Sequence, residues 1–523
     1  MWLFGISAIL WTCYNEGMPD FLSAPITNCP WEMMRLMDRN KPGDSPPMEL
    51  KKIGGILLSR EAYRLAFLLV TTSYTVSFFA KASTLCNTLL LAWGGTLFFV
   101  DLFTKRILFQ SKRCIPLIVF MLLYMGTLLI NRHMQPFENG KVLLVTGLEL
   151  FLLLPYDRNL PMNRIEEQLI RFNRIVVWFS LVFSAAAIVM YLFWINGTVG
   201  GVFFGSSGGM LYGFYSGPNT GAALASASLA LSLVTCHLTS GRPTRLTLIN
   251  GVIQLLYLYL SNSRASLYAF VFFLVWYSLF FLKGLRTKVE GMAASGVVFL
   301  LAEPVKILLH GLQKGILWVV SIVRFLIREV VFLFDKWFGG PSDGAEAAPP
   351  HLTEPVQTSP PDKDIAMGFL NGRAELWRCG GDILRDHPLF GVGSRNLPEV
   401  ARRYRPIEEL PGIDGGGMHN IVMQILVSNG VLGFAALASY ALICLVQLIG
   451  YFKEHRLSTH SSRTVLLCVC ILFLLLVQNM VENTILFSAS FHAAIFWSYL
   501  GFALFYIDNS RTIKTEVDRT PQA

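Results

Sequence analysis

Apolar residues come in runs of about 17–25, each enough for one helix to cross a bilayer with its own backbone satisfied, and short polar hinges separate them. Runs at 62–80 and, after only Lys81-Ala82-Ser83, to about 104 predict a tight first hairpin. Further runs at 114–131, 141–155, 175–195, 219–237, 247–262, 265–282 and 290–309 continue the pattern, and 421–450, 464–481 and 488–507 close it. The reading is an all-α polytopic membrane protein of about twelve transmembrane helices with one large extracytoplasmic loop.

Residues 290–335 are long enough for two spans or for one span plus a surface helix, and two spans would turn the following loop to the inside. At the helical repeat, Glu303, Lys306, His310, Lys314, Ser321, Arg324, Arg328 and Asp335 fall on one stripe. The expectation is therefore one span at 290–309 and an amphipathic helix over 313–335 that lies at the outer interface or faces a protein groove. Gly339 to about Asp364 is rich in Pro, Ser, Gly and acid and reads as a linker. From about Ile365 to Tyr404, Ala374, Leu376, Trp377 and Ile383-Leu384 restore an amphipathic helical spacing. The expected organisation is an extension over 1–60, nine spans over 61–310, the large loop over 311–420, three spans over 421–507 and a tail over 508–523. Residues 1–13 are apolar but short and lack a basic leader, so a secretory signal fits poorly.

Hydrophobic residues make up 53% of the 523 and charged residues 15%, far from an ordinary soluble domain. The net charge of +9 raises the possibility of a nucleic-acid partner, but its placement gives a simpler account. Lys and Arg recur on alternate hinges (Lys112-Arg113, Arg158 to Arg174, Arg242 and Arg245, Lys453 to Arg463, Arg511 to Arg519), while 196–218 has none. By the positive-inside rule both termini are cytoplasmic, the number of spans is even, 196–218 is outside, and no nucleic acid is implied. The nine cysteines show no CxxC pair or disulfide framework, and no metal, phosphate-loop or nucleophile-elbow motif is present.

Candidate chemistry concentrates between Gly372 and Gly433 and at a few span ends. Arg264, in Ser261-Asn262-Ser263-Arg264, stands at an outer span end, where a guanidinium grips a phosphate group or snorkels to headgroups. Arg373 opens the ordered part of the loop, and Arg402, Arg403 and Arg405 form a basic cluster suited to a diphosphate, an anionic glycan, lipid headgroups or plain solvation. His419 follows three glycines and precedes Asn420 and an apolar helix, so its imidazole serves as a proton acceptor or as a helix cap. Glu482 is an ionisable group at an outer span end. Tyr215 and Asn219 begin the sixth span and either line the same cavity or serve turn and cap chemistry.

The motifs S-N-S-R-A-S at 261–266, G-R-A-E-L-W from Gly372 with D-H-P-L-F-G-V-G at 386–393, and H-N-I-V-M-Q-I-L-V-S-N-G-V-L-G at 419–433 resemble the O-antigen ligase and polymerase superfamily of bacterial membrane glycosyltransferases. The resemblance implies a GT-C-like, multi-pass inner-membrane enzyme that transfers or polymerises glycan from an undecaprenyl-diphosphate-linked donor on the outer face, inverting the anomeric centre without metal or cofactor. It implies that Arg264 and Arg373 hold the diphosphate and that His419 orients or deprotonates the acceptor hydroxyl. Asn420, Arg402, Arg403, Arg405, Tyr215, Asn219 and Glu482 are the accompanying substrate-binding candidates. Polymerase stands ahead of ligase, since nothing specifies a lipid acceptor; a transporter of lipid-linked sugars is the alternative of another class.

Overall fold

The computed structural model describes residues 58–517 apart from 105–106, 108–110, 200, 240–242, 283, 339–372, 411 and 457–458. The N-terminal extension up to residue 57, the Pro-rich insert and the last six residues lie outside the described residues.

The chain begins with α1 (Arg60–Ser73), whose first turn is capped by the Ser59 hydroxyl accepting from the Ala62 amide. A short α2 (Ser77–Ala80) and α3 (Ser83–Phe103) complete the expected hairpin. Then come α4 (Ile115–Ile130), α5 (Pro136–Leu148) with a π turn at Glu149–Leu153, and α6 (Met162–Leu192). A small sheet precedes α7 (Pro218–Thr239), α8 (Arg245–Leu260), α9 (Arg264–Phe281), α10 (Leu285–Leu300) and α11 (Ala302–Phe338). The loop unit holds α12 (Arg373–Asp386), α13 (Leu397–Ala401) and α14 (Ile413–Gly416), and α15 (Ile421–Glu454), α16 (His460–Asn479) and α17 (Phe491–Val517) close the bundle.

Among the described residues nine helices are long and apolar enough to cross a membrane: α3, α4 with its leading turn, α6, α7, α9, α11 as far as Glu329, α15, α16 and α17 as far as Ser510. The expected spans at 62–80, 141–155, 247–262 and 290–309 coincide with shorter helices, of 14, 13, 16 and 16 residues. At α5 the π turn leaves carbonyls free that lipid cannot satisfy. Arg64, almost fully buried, fills that need by donating to Leu153 O (3.0 Å) and to Pro155 O, with its guanidinium 3.5 Å from the centroid of Tyr156.

Three expectations change. The 196–218 connection departs from the all-α expectation: β1 (Gly197–Val199), β2 (Val202–Ser207) and β3 (Met210–Gly213) form an antiparallel sheet in that order, so the fold is helical with one small sheet. Ser77 N donates to Phe214 O (3.0 Å) and Ser216 N to Thr75 O (2.8 Å), which explains why the 62–80 run breaks after Ser73. The break placed at 309–313 falls at Leu301 instead, because Pro304 has no amide for the Leu300 carbonyl and belongs in a first helical turn. The last helix, finally, runs past 507 to Val517.

Two contacts orient α11. Lys306 Nζ donates to Asn262 Oδ1 (2.9 Å), at the turn between α8 and α9, and Gln313 Nε2 donates to Tyr191 O (2.5 Å), near the end of α6. Seven residues, about 10 Å of helix, thus join the ends of different spans on one side of the bundle, so α11 runs across those ends. Further along, Trp318 (67% exposed), Phe325 (54%) and Ile327 (58%) have no protein cover, and Arg324 and Arg328 are exposed beside them.

On the same side the loop unit has a core of its own, built from Leu376, Cys379, Ile383, Leu397, Met418 and their neighbours. It is joined to the bundle by backbone pairing at a break in α15. Gly430 has φ 65° and ψ −175° inside that helix, which frees carbonyls before it and amides after it. The 388–393 stretch takes two of each: Val392 N donates to Val427 O (2.9 Å), Gly393 N to Ser428 O (3.0 Å), while Val431 N donates to Pro388 O (2.8 Å) and Leu432 N to Leu389 O (3.3 Å). Thr127 Oγ1 donates to Phe390 O (2.6 Å) and Asn139 Nδ2 to Asn396 Oδ1 (2.7 Å), so α4 and α5 hold the same stretch from the other side.

A Cβ at Gly430 would lie 2.1 Å from Leu389 O, and one at Gly391 2.4 Å from Val427 O, both on left-handed backbone. Gly430→Ala is therefore expected to cost about 2 kcal/mol or more, measured as a lower melting temperature in detergent together with faster proteolysis between Arg373 and His419. A nitroxide at Phe325 is expected to report shallow bilayer depth from its oxygen and nickel-chelate accessibilities; a mid-bilayer depth would make α11 a span.

Candidate active site

A cavity of about 220 Å³ opens among the span ends on the side that carries the loop unit and α11. Thr71, Tyr74 and Thr75 from the end of α1 and Asn219 and Thr220 from the start of α7 form one wall. Ser263 and Ser266 at the start of α9 face Gln478 and Glu482 at the end of α16, and Thr484, Ser490 and His492 close it. Alanines 223, 265 and 489 and Phe491 add apolar surface. Among the described residues no Lys or Arg lines the cavity, and Glu482 is its one carboxylate.

Glu482 is held in a loop rather than on a helix. Buried Asn479 fixes that loop: its Oδ1 accepts from Thr484 N (2.7 Å) and Ile485 N (3.2 Å), and its Nδ2 donates to Leu475 O (2.9 Å). Trp497 Nε1 donates to Ile485 O (2.8 Å) from α17. The carboxylate so placed is shared, since Arg373 donates to Oε1 (3.2 Å) and His419 Nδ1 pairs with Oε2 (3.1 Å). Arg373, Glu482 and His419 are each partly buried, their side chains 18%, 29% and 20% exposed. A carboxylate accepts from Nδ1–H, and in the neutral imidazole that leaves the lone pair on Nε2.

His419 reaches this position through strain and close approach. Its φ is 45°, a left-handed value unusual for a residue with a side chain. A Cβ on Gly412, itself at φ 81°, would lie 2.7 Å from His419 Nε2, so only glycine leaves that nitrogen room. Asn420, by contrast, is fully used by the fold: its Oδ1 caps α15 by accepting from Met423 N (3.0 Å), and its Nδ2 donates to Met480 O (2.9 Å). That second bond ties the start of α15 to the Glu482 loop and so sets the spacing between His419 and Glu482. Trp377 Nε1, donating to Met418 O (3.0 Å), anchors the same turn from α12.

The other expected residues divide. Arg264 is exposed between Ser263 and Ala265, both on the cavity wall, which puts it at the rim; among the described residues its side chain has no hydrogen bond or ion pair. Asn219 lines the cavity. Tyr215 does not: it is buried, 3.0 Å from Ser184 Oγ, and packs edge-on to Tyr257. The basic cluster is neutralised within the loop unit, with Arg402 on Asp414 (2.6 Å), Arg403 on Glu399 (3.2 Å) and Arg405 on Asp382 (3.1 Å). None of the three lines the cavity, because the acids that surround them in sequence fold back onto them. Tyr404 in their midst donates to Asp386 (2.6 Å), and that bond pushes its phenol up to about 12, so it stays a neutral donor.

Reading the sequence missed most of the cavity wall. Tyr74, Thr71 and Ser490 carry no signal that separates them from ordinary span-end polar residues. Gln478 and His492 do, because each is a polar side chain inside an apolar helix, where it needs a partner or a role. The motif D-H-P-L-F-G-V-G, in contrast, turns out to be the backbone clamp at Gly430 and supplies no residue to the cavity wall.

Residues 249–438 match the family model described as O-Antigen ligase, from within α8 to the middle of α15, a span that includes Arg264, Arg373 and His419 and stops short of Glu482. No curated protein matches the chain. Through residues 249–438 this chain is similar to the O-Antigen ligase family, which supports the O-antigen ligase and polymerase resemblance and a membrane glycan-processing enzyme.

Proposed function

We propose that the protein is an inverting glycosyltransferase that takes glycan from an undecaprenyl-diphosphate carrier on the outer face of the cytoplasmic membrane and extends another carrier-linked glycan with it. The observation that carries this reading is the shared carboxylate: Glu482 holds both Arg373 and His419 at the edge of a hydroxyl-lined cavity among span ends. Such a base, oriented by a second group, is the arrangement a proton-abstracting imidazole needs.

In the reaction an acceptor hydroxyl attacks the anomeric carbon. The new O–C bond forms as the bond from that carbon to the diphosphate oxygen breaks, and the electron pair leaves with the carrier. The acceptor proton passes to His419 Nε2. Glu482, accepting from Nδ1–H, favours the imidazolium that results. Charge grows on the leaving diphosphate, and cations already in place stabilise it more in the transition state than in the bound donor. Arg264 at the rim has its guanidinium free for this, and Arg373 uses one nitrogen on Glu482 and keeps other donors. The carrier's prenyl chain stays in the bilayer, so a site among span ends meets the diphosphate at headgroup depth.

The test follows release of free undecaprenyl diphosphate by purified protein in nanodiscs with carrier-linked repeat units. Longer carrier-linked glycans are expected from the wild type, with release unchanged by EDTA. His419→Ala is expected to lower the rate at saturating donor by about 10²-fold or more, and Glu482→Gln by a smaller factor with KM little changed. Arg264→Ala is expected to raise donor KM as well. Release only on addition of a different acceptor assigns a ligase; transport of intact donor across a vesicle membrane without release assigns a transporter instead.

Gly412→Ala is expected to mimic His419→Ala in rate, because its methyl group would press on Nε2. Lost activity is expected together with a melting temperature lowered by the strain alanine meets at φ 81°.

A further inference from the structure

The cavity wall holds two buried polar atoms that the protein leaves without partners. Ser226 Oγ donates to Ala223 O (2.9 Å), so towards Gln478 it accepts, and Gln478 meets it with Nε2 at 2.6 Å. Gln478 Oε1 is thereby turned away from Ser226, and it is buried with no hydrogen bond. On the opposite wall His492 is 5% exposed, and its Nε2 is buried with no hydrogen bond either. Both side chains line the cavity. A buried polar atom without a partner costs on the order of 1–3 kcal/mol, a cost that binding recovers if the ligand brings hydroxyl or amide groups to those positions.

The remainder of the wall narrows the ligand. The described lining residues include no Lys or Arg, which argues against a diphosphate inside the cavity, and polar side chains stand among a lining surface that is largely apolar. Serine, threonine and asparagine groups at the edges, with the rings of Tyr74 and Phe491, suit a pyranose, which has C–H faces and a hydroxyl rim. The cavity is open on one side and has room for at least a single ring. Arg264 at the rim puts the cation next to, and outside, that ring.

We infer that this cavity is the binding site for the donor's first sugar, the one bonded to the diphosphate, and that Gln478 and His492 select it through its hydroxyl or N-acyl groups. The inference rests on the transfer reading above and adds a substrate class and two specificity residues to it. Neither residue is a catalytic group, since the proton and the leaving charge are handled by His419 and the arginines.

The experiment measures binding rather than turnover, with full-length protein in nanodiscs. The probes are short-chain polyprenyl diphosphates, one bare and the others each bearing a single hexose or N-acetylhexosamine. The wild type is expected to bind at least one glycosylated probe about tenfold or more tighter than the bare one, as sites built around unpaired polar groups do. Gln478→Leu and His492→Phe are each expected to bring that ratio close to one while bare-probe affinity stays within about twofold, and His492→Gln to restore part of it. Arg264→Ala is expected to weaken all probes alike. A ratio unchanged in both variants, or a parallel loss for all probes, overturns the sugar site. So does a wild type that prefers no glycosylated probe over the bare one, an outcome that leaves the transfer reading standing. Binding of no probe at all removes the carrier-linked donor and with it both readings.

Discussion

A helix broken at membrane depth leaves carbonyls on one side of the break and amides on the other, and lipid can satisfy neither. At Gly430 those groups are met by the backbone of residues 388–393, four bonds that pair a loop with an opened helix as two strands would pair. The left-handed backbone at Gly391 and Gly430 lets the two chains come that close. Because the loop unit is fastened here, α12 lies against α15, and the turn that ends in His419 has a fixed place relative to the bundle. The Asn420 bond to Met480 O then joins that turn to the Glu482 loop. Arg373 and His419 come from a unit that folds around its own core, Glu482 from the bundle, and the triad exists only where the two are clamped together.

Charge and hydroxyl chemistry are kept apart in this site. Among the described residues the cavity wall holds one carboxylate and no cation, Arg264 stands beside it without an ion pair, and the basic cluster at 402–405 is satisfied by acids of its own unit. Exposed pairs of that kind are weak, so what sets the cluster apart is its place: none of its arginines lines the cavity. A free cation beside a neutral polar cavity instead allows a diphosphate and a sugar to be recognised side by side. The α11 helix adds a boundary on the same side, fixed across two span ends and carrying an uncovered apolar face beyond them.

The hydrophobic pattern by itself determined that the chain is a helical membrane protein, roughly where its helices run, and that a polar unit separates the last three from the rest. Length and apolarity suffice for that, because a lipid-crossing helix satisfies its backbone within its own segment. Local chemistry also marked Arg264, Arg373, His419 and Glu482, each an ionisable side chain at the edge of an apolar run. Only the tertiary structure decided what each residue does. That Glu482 joins Arg373 and His419 depends on contacts 109 and 63 residues apart in sequence. That the arginines at 402–405 are neutralised depends on how one loop folds back, and that Tyr215 is core depends on Ser184 and Tyr257. The glycine-rich connection pairs with itself as a small sheet, with Ser77 and Thr75 bonded to Phe214 and Ser216 just beyond it, and the most motif-like stretch, at 386–393, proved to be backbone support. For the triad, Tyr215 and the 386–393 stretch the deciding partner is distant in sequence, and a side chain's chemistry is set by the partner it meets.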